Sequence, residues 1–261
     1  MEERETHIVW YRLRGLGLAC LCSLLFFCGA YVANQKTVTV NSTVNVRQLP
    51  VYCVQTEKKQ VALTFDAAWG NEDTAAILSI LEKHGVHATF FMTGGWVDSY
   101  PEDVRKIAAA GHDLGNHSQN HRNMSQLSKR EMQNEIQAVH EKVRELTGIE
   151  MKLFRAPYGD YSNELIQTAE LAGYMAVQWD VDSEDWKNYG VDSIIQKVTQ
   201  HKHLGNGSII LMHNGAEYTA AALEAVITGL QSQGYELVPV SGLIVWSNYH
   251  MDPEGRQIPE T

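Results

Sequence analysis

The chain has 261 residues, of which 44% are hydrophobic and 20% are charged, a balance typical of a globular protein with a sizeable core. Its length suits one large domain or two small ones. The formal net charge of −10 repels phosphate backbones, and no cluster of lysine and arginine typical of nucleic-acid binding follows residue 14. The sequence therefore argues against a nucleic acid as partner.

The first predicted element is a membrane-spanning helix over residues 15–33, which carry no charge and can cross a hydrocarbon core of roughly 30 Å. Two arginines precede this segment closely, and one lysine follows it. The positive-inside rule then predicts a cytoplasmic N-terminus at 1–14, a single-pass anchor in the cell membrane and an extracytoplasmic remainder. A cleaved signal peptide is the alternative, although the apolar stretch is longer than a usual signal-peptide core.

Three of the four cysteines lie in this apolar segment, which leaves Cys53 alone outside it and excludes a disulfide framework. Residues 34–57 are polar and lack helical periodicity, so they predict a stalk with one edge strand around Val51–Val54. The main domain is predicted at 58–243, and a C-terminal tail at 244–261.

From residue 61 onward, apolar runs typical of strands alternate with amphipathic helical stretches. The runs cover 61–66, 86–91, 112–118, 152–156, 174–182, 207–213 and 235–240. The best-marked helix begins at Ser128, where Glu131 completes a capping box, and ends at Gly148. This alternation predicts an α/β domain with a parallel sheet or barrel, and seven strands favour barrel-like closure.

Polar side chains follow these runs at the predicted carboxyl ends of the strands, where parallel α/β folds place their functional groups. They are Asp66, His117, His121, Arg155, Asp182, Asp185 and His213. Because these strand ends meet at one rim, we expect the side chains to converge. Their joint placement indicates a site more strongly than any single motif does.

Each of these motifs also has a structural interpretation. His117 and His121 suit one metal ion if the segment turns helically, or they are two surface histidines. Arg155 is a surface cation or, if buried, needs a carboxylate partner, for which Asp66 is the obvious candidate. One aspartate of DVDSEDW could cap the following helix. His213 ends the run IILMH, where a proton donor would be useful.

The order of the motifs TFD, HSQNH, RAPY, DSEDW and LMH resembles that of the NodB-homology polysaccharide deacetylases, carbohydrate esterase family 4. The resemblance covers about residues 58–243, and the apolar N-terminal segment, TFDAAWG and DSEDW are most similar to the spore-former subgroup that acts on peptidoglycan. It implies a distorted barrel of about seven βα units and a divalent metal, usually zinc. It also implies hydrolysis of an N-acetyl group on a cell-wall glycan.

Carried over by motif, the resemblance implies that Asp66 is the general base and that Arg155 holds it. It implies that His117 and His121 are the metal ligands. The chemistry agrees with these roles, because an amide carbonyl is a poor electrophile that a metal ion would polarise while lowering the pKa of a bound water. The carboxylate would take the proton as that water attacks.

The resemblance also implies roles for five further residues, in protonation of the leaving group, in oxyanion binding and in the acetyl pocket. Asp185 would pair with His213, the general acid, because an amine leaves only when it is protonated. The backbone N–H of Tyr158 would help to bind the oxyanion. Trp186 and Leu211 would wall the acetyl pocket.

The departure from the family pattern is Ala67, because the family usually reads TFDD and uses the second aspartate as a third protein ligand to the metal. Alanine has no donor atom, which leaves three outcomes. Water replaces the ligand and the metal binds weakly, Asp66 turns to the metal, or catalysis is lost. Every other residue that serves the mechanism is retained, which favours retained activity.

The sequence thus predicts a membrane-anchored, metal-dependent deacetylase of cell-wall glycan. A non-catalytic glycan-binding or sporulation-assembly protein on the same fold is the alternative. A hydrolase of other C–N bonds, such as a small-molecule amidase, is a third hypothesis, and an open groove at the rim would count against it.

Overall fold

A sheet of short parallel strands organises residues 47–260, the part of the chain that a computed structural model describes. The predicted membrane segment 15–33 and the first part of the predicted stalk lie outside these residues. Among the helices of residues 47–260, none combines the length and the apolar character that a membrane crossing needs.

The strands of residues 47–260 are β1 (Cys53–Val54), β2 (Gln60–Ala67), β3 (Thr89–Met92), β4 (Asp113–Asn116), β5 (Leu153–Phe154), β6 (Met175–Ala176), β7 (Val181–Asp182), β8 (Ile209–Asn214), β9 (Glu236–Val238), β10 (Tyr249–Met251) and β11 (Arg256–Pro259). The α-helices are α1 (Thr74–Lys83), α2 (Gly94–Ser99), α3 (Pro101–Ala109), α4 (Lys129–Thr147), α5 (Asn163–Leu171), α6 (Val191–Thr199), α7 (Thr219–Ser232) and α8 (Val240–Leu243). Short 3₁₀ turns occur at Met124–Gln126, Pro157–Gly159 and Asp185–Lys187.

The main sheet has the strand order β6-β5-β4-β3-β2-β8-β7, with β9 paired to the start of β2, and its pairs are parallel. The prediction of a parallel α/β domain is confirmed. Only residues 177–180 join the edge strands β6 and β7. Because five residue steps span at most about 18 Å, the sheet must curl until its two edges come close together.

The sheet nevertheless stays open between β6 and β7, so the structure has a curled parallel half-barrel where the sequence predicted a distorted barrel. The run 174–182, predicted as one strand, splits into β6 and β7 with a connection between them. In that connection Gln178 N donates to Val51 O (2.7 Å) instead of continuing a ladder between the two edge strands. The predicted strand 174–182 is thus interrupted by a hydrogen bond to Val51, a residue far away in the sequence.

A segment from the start of the described chain covers this opening, and we call residues 51–54 the seam segment. Val51 N donates to Ala176 O (2.9 Å) and Val54 N to Gly207 O (2.9 Å). Strand β1, within the segment, pairs in parallel with β11, which pairs antiparallel with β10. Residues 47–57 and 244–260 are therefore folded in the structure, while the boundaries drawn at 58 and 243 stay predictions.

Side-chain alternation along β2 decides which residues reach the site. The odd-numbered residues from Val61 to Ala67 belong to the large apolar cluster that the sheet forms with its helices. Thr64 and Asp66 are buried polar residues at the alternate positions. Neighbouring side chains of a strand point to opposite faces, so Asp66 and Ala67 are directed to opposite sides of the sheet.

The best-marked predicted helix is confirmed as α4. Ser128 accepts a hydrogen bond from Glu131 N, the Glu131 side chain accepts one from Ser128 N in return, and Gly148 ends the helix at φ 73°. That left-handed conformation favours glycine. The sequence did not predict α2, whose six residues are capped by Thr93.

Candidate active site

A cleft of about 510 Å³ opens at the carboxyl ends of the parallel strands. Most of the predicted site residues line it, namely Asp66, His117, His121, Tyr158, Trp186, Leu211 and His213. The other two, Arg155 and Asp185, have no exposed surface and lie behind the lining residues that they contact. Polar residues that the sequence separates by up to 147 positions therefore meet at one rim.

A buried arginine holds Asp66. Nη1 of Arg155 donates to Asp66 Oδ1 (2.7 Å) and to Thr64 Oγ1 (2.9 Å), and Nη2 donates to Gln178 O (3.2 Å). Burial opposes the charged form of Asp66, but Arg155 and His117 outweigh burial and hold the pKa of the carboxyl below its usual range. Asp66 is thus an ionised carboxylate whose Oδ2 lies 3.4 Å from His117 Nε2.

The two predicted metal ligands face each other across the cleft floor, with ring centres 4.9 Å apart. Nδ1 of His117 donates to the carbonyl oxygen of Arg155 (2.8 Å), which leaves Nε2 unprotonated in the neutral ring. His121 adopts φ 52°, and its N–H donates to Ser118 Oγ (3.0 Å). Burial lowers the pKa of His117, and burial with His117 lowers that of His121 to about 4. Both rings are therefore neutral near pH 7, the form that binds metals.

A divalent cation would find two imidazoles here and no third strong ligand. Within residues 47–260, no three histidine, cysteine, aspartate or glutamate side chains form a group arranged to hold a metal ion. Ala67 offers no donor atom, and Asp66 already has Oδ1 on Arg155. The residues present thus fit a cation held by His117 and His121, with Oδ2 of Asp66 nearby. Most zinc sites in enzymes have three protein ligands.

The second half of the site is a histidine held by a buried carboxylate. Nδ1 of His213 donates to Asp185 Oδ1 (2.7 Å), and the backbone N–H of His213 donates to Oδ2 (2.7 Å). Thr219 Oγ1 also donates to Oδ2 (2.7 Å), and Trp186 N donates to Oδ1 (2.9 Å). Burial alone would lower the pKa of His213, but Asp185 outweighs it and raises that pKa. His213 is therefore suited to hold a proton on Nε2.

Exposed aromatic rings form the cleft walls. Tyr158 is 66% exposed at φ 61°, and Trp186 is 49% exposed, while Leu211 is buried beneath them. The indole of Trp69 stacks on the imidazole of His213, with ring centres 4.9 Å apart and planes 17° apart. Trp69 was not predicted as a site residue, although its place directly after the strand run in TFDAAWG could have indicated it.

Comparison with known proteins places the chain in a family. The profile of the polysaccharide deacetylase family matches residues 54–177. A peptidoglycan-N-acetylglucosamine deacetylase of Bacillus cereus is 35% identical over 193 residues, which cover 71% of this chain and 68% of the relative. PdaA of Bacillus subtilis, a peptidoglycan-N-acetylmuramic acid deacetylase, is 33% identical over 201 residues, 74% of each chain. The chain belongs to the polysaccharide deacetylase family.

Solved structures of this family share the fold. BA3943 of Bacillus anthracis, described as a CE4 family pseudoenzyme, matches with a TM-score of 0.72 at 32% identity, over 81% of this chain and 73% of BA3943. A BA3943 mutant described as having restored enzymatic activity matches with a TM-score of 0.71 at 36% identity, over 74% and 70%. This chain matches 60% of the length of another relative, YlxY of B. subtilis. Proteins similar to this chain thus include named deacetylases and a pseudoenzyme.

Proposed function

We propose that this polysaccharide deacetylase family member hydrolyses N-acetyl groups on a cell-wall glycan, namely peptidoglycan. The observation that carries the proposal is the arrangement of two different proton-transfer groups on one cleft. Asp66 is kept ionised by Arg155, and His213 is kept basic by Asp185. Hydrolysis of an amide needs both, a base for the attacking water and an acid for the departing amine.

In this proposal each half of the site does one proton transfer. Asp66 takes a proton from the attacking water with its free oxygen, because Arg155 occupies the other. His213 gives a proton to the amine from Nε2, since Asp185 occupies Nδ1. The backbone N–H of Tyr158 helps to bind the oxyanion, and Trp186 and Leu211 bound the acetyl methyl group.

The proposal includes a divalent cation, zinc by resemblance, held by His117 and His121. When bound, such a cation supplies Lewis acidity toward the acetamide carbonyl and toward water. Orientation of His117 by the Arg155 carbonyl supports this assignment, because metal-binding histidines usually donate their second N–H in this way. We expect weak binding, because Ala67 leaves the set short of one anionic ligand.

The names of the relatives support peptidoglycan as the substrate class, since those relatives are described as acting on its N-acetylglucosamine or N-acetylmuramic acid units. We propose the matching location, with an anchor at 15–33 in the cell membrane and the remainder on the extracytoplasmic side. The charge asymmetry around residues 15–33 supports this orientation. An uncharged segment of that length also suits retention rather than cleavage.

A second candidate function is glycan binding or sporulation assembly without catalysis. Two observations favour it, the missing donor at Ala67 and the similarity to BA3943, a described pseudoenzyme. A small-molecule amidase is less well supported, because a second, open depression adjoins the cleft at Tyr158, as an extended substrate would need.

The deciding experiment measures acetate release from peptidoglycan and from N-acetylglucosamine oligomers by the purified full chain in detergent during a zinc titration. We expect release that rises with zinc occupancy and stops with a chelator, and that His213→Gln removes. Release that is absent at full zinc occupancy, together with retained glycan binding, would establish the second candidate instead.

A further inference from the structure

A polar groove of about 670 Å³ continues the cleft on one side. It is lined by His121, Arg122, Asn123, Gln126, Leu127 and Tyr158. His121 and Tyr158 also line the cleft, and their rings meet edge-on with centres 4.5 Å apart. The two depressions therefore lie side by side across these two rings, and a chain molecule lying in the cleft would reach the groove by crossing them.

Arg122 supplies the positive charge of this groove, in a chain whose net charge is −10. Its Nη1 lies 3.5 Å from Glu131 Oε1, and both side chains are about half exposed. The other oxygen of Glu131, Oε2, accepts hydrogen bonds from Ser128 N (2.9 Å) and Ser128 Oγ (2.7 Å) in the capping box of α4. The helix cap thus fixes Glu131, and Glu131 contacts Arg122 through one of its oxygens. The other guanidinium N–H groups of Arg122 remain for a ligand.

The backbone that carries Arg122 is held in place by its neighbours. Asn120 donates to both carboxylate oxygens of Glu135, from N (2.8 Å) and Nδ2 (2.7 Å). His121 N donates to Ser118 Oγ (3.0 Å). Since Arg122 directly follows His121, its Cα lies about 3.8 Å from that of a predicted metal ligand. A group bound by Arg122 would therefore lie within the length of one arginine side chain of His121, beside the cleft.

We infer that Arg122 binds a carboxylate carried by the glycan next to the sugar that is deacetylated. Guanidinium pairs with carboxylates through two parallel N–H bonds, and the amides of Asn123 and Gln126 can bind hydroxyl and amide groups around it. This inference rests on the proposed function and refines its substrate class to acidic glycans. In peptidoglycan the carboxylate belongs to the lactyl group of muramic acid or to the attached peptide, whereas chitin-type oligomers carry none.

The test compares three ligands of matched length: a neutral N-acetylglucosamine oligomer, a peptide-free peptidoglycan oligosaccharide with lactyl carboxylates, and the same oligosaccharide with its peptides. Affinity is measured by calorimetry with the full chain in detergent, and KM and kcat by acetate release. Arg122→Gln should weaken binding of an acidic ligand by about 5-fold and leave the neutral one unchanged, and Arg122→Lys should recover part of the loss. The difference should shrink at high salt.

Arg130→Gln is the matched control, because it removes the same charge from an exposed residue of α4 that does not line the groove. A loss confined to the peptide-free ligand would identify the lactyl carboxylate, and a loss confined to the peptide-bearing one would identify a peptide carboxylate. Equal losses for neutral and acidic ligands, or no loss for either acidic ligand, would overturn the inference. Failure of the proposed function would give a different result, because the wild type would then release no acetate. The affinity comparison would still test the role of Arg122 in that case. A wild-type chain that binds none of the three ligands would overturn both.

Discussion

Asp66 and Asp185 are two buried carboxylates at the same rim, and their surroundings differ. Asp66 has one oxygen on a cation, Arg155, and directs the other toward His117 and the cleft. Asp185 has both oxygens on hydrogen-bond donors, two from His213 and one each from Thr219 and Trp186. Asp66 thus has one oxygen available for chemistry, whereas both oxygens of Asp185 accept hydrogen bonds from its neighbours.

The difference shows how one fold assigns two roles to the same side chain. A full counter-charge keeps Asp66 ionised without using its second oxygen, so that oxygen can accept a proton or contact a cation. Hydrogen bonds from four donors fix Asp185 and, through it, the ring of His213. We therefore expect Asp66 to act on the substrate and Asp185 to act through His213.

Asp66→Asn tests the first half of this comparison and should have the largest effect. Loss of a general base usually lowers a rate by about 10²–10⁴-fold, and Arg155 would lose its counter-charge in a fully buried place. We expect acetate release to fall by at least about 100-fold and the free energy of unfolding by roughly 3 kcal/mol, measured by urea denaturation. Asp103→Asn is the control, since this buried aspartate lies outside the cleft lining. Near wild-type activity in Asp66→Asn would make Asp66 a structural residue.

Asp185→Asn tests the second half through the pH profile. Asp185 raises the pKa of His213, so the imidazolium persists to higher pH and acid catalysis declines as pH rises through that pKa. In Asp185→Asn the alkaline limb of kcat should move to lower pH, with a rate loss of about 100-fold at pH 8. The stabilisation that His213 gains from its raised pKa is complete below about pH 6.5 and lost above the raised value, and it should shrink in this variant. An unmoved alkaline limb would contradict the pairing.

Measurement of zinc affinity tests whether the free oxygen of Asp66 is also a metal ligand. His117→Ala and His121→Ala each leave one imidazole, so we expect zinc retention on dialysis to be lost in both. His112→Ala is the control, because this buried histidine lies outside the cleft lining. Weaker zinc binding in Asp66→Asn would add Asp66 to the ligands. Unchanged zinc stoichiometry in both histidine variants would remove the metal assignment.

Ala67→Asp places a third carboxylate beside Asp66 on the opposite face of β2. Ala67 is fully buried in the apolar cluster, so we expect the variant to melt at lower temperature in a chelator. Ala67 is the last residue of β2, so the added carboxylate can reach the cation only by turning around the strand end and leaving the apolar cluster. Zinc should therefore recover stability more than it does in wild type, and its affinity should rise about 10-fold through the added anionic ligand. Ala67→Asn controls for volume. If zinc stabilises Ala67→Asp no more than wild type, the carboxylate stays among apolar side chains.

Thr219→Val should give the smallest effect. It removes one of the donors to Asp185 Oδ2 while keeping the shape of a buried side chain. A hydrogen bond to a charged group contributes about 1.5–3 kcal/mol, and the remaining donors to Asp185 should hold the loss of activity to about 5-fold. Thr168→Val, at a buried threonine of α5 away from the cleft, is the control. A loss as large as that of Asp185→Asn would mean that Thr219 has a role of its own.

Local pattern was enough to predict the parallel α/β class, the capped helix at Ser128 and the rim where polar residues gather. These features depend on periodicity, on capping and on the common direction of parallel strands. The opening between β6 and β7 could not be predicted, because it depends on hydrogen bonds of Val51 with Ala176 and Gln178, more than 120 residues away. The stack of Trp69 on His213 likewise joins side chains from two strand ends. The opposite directions of Asp66 and Ala67 follow from the period of two in VALTFDA.

The thiol of Cys53 can be used to detect movement of the seam segment. Cys53 is 5% exposed in this segment, and burial, with Asp180 nearby, raises the pKa of its thiol to about 12. A thiol reacts as its thiolate, so Cys53 is inert while the segment lies over the opening. Alkylation of Cys53, followed by peptide mass spectrometry, would therefore time the detachment of the segment. The same labelling would show whether a glycan in the cleft slows that detachment, since Gln178 binds both Val51 and Arg155.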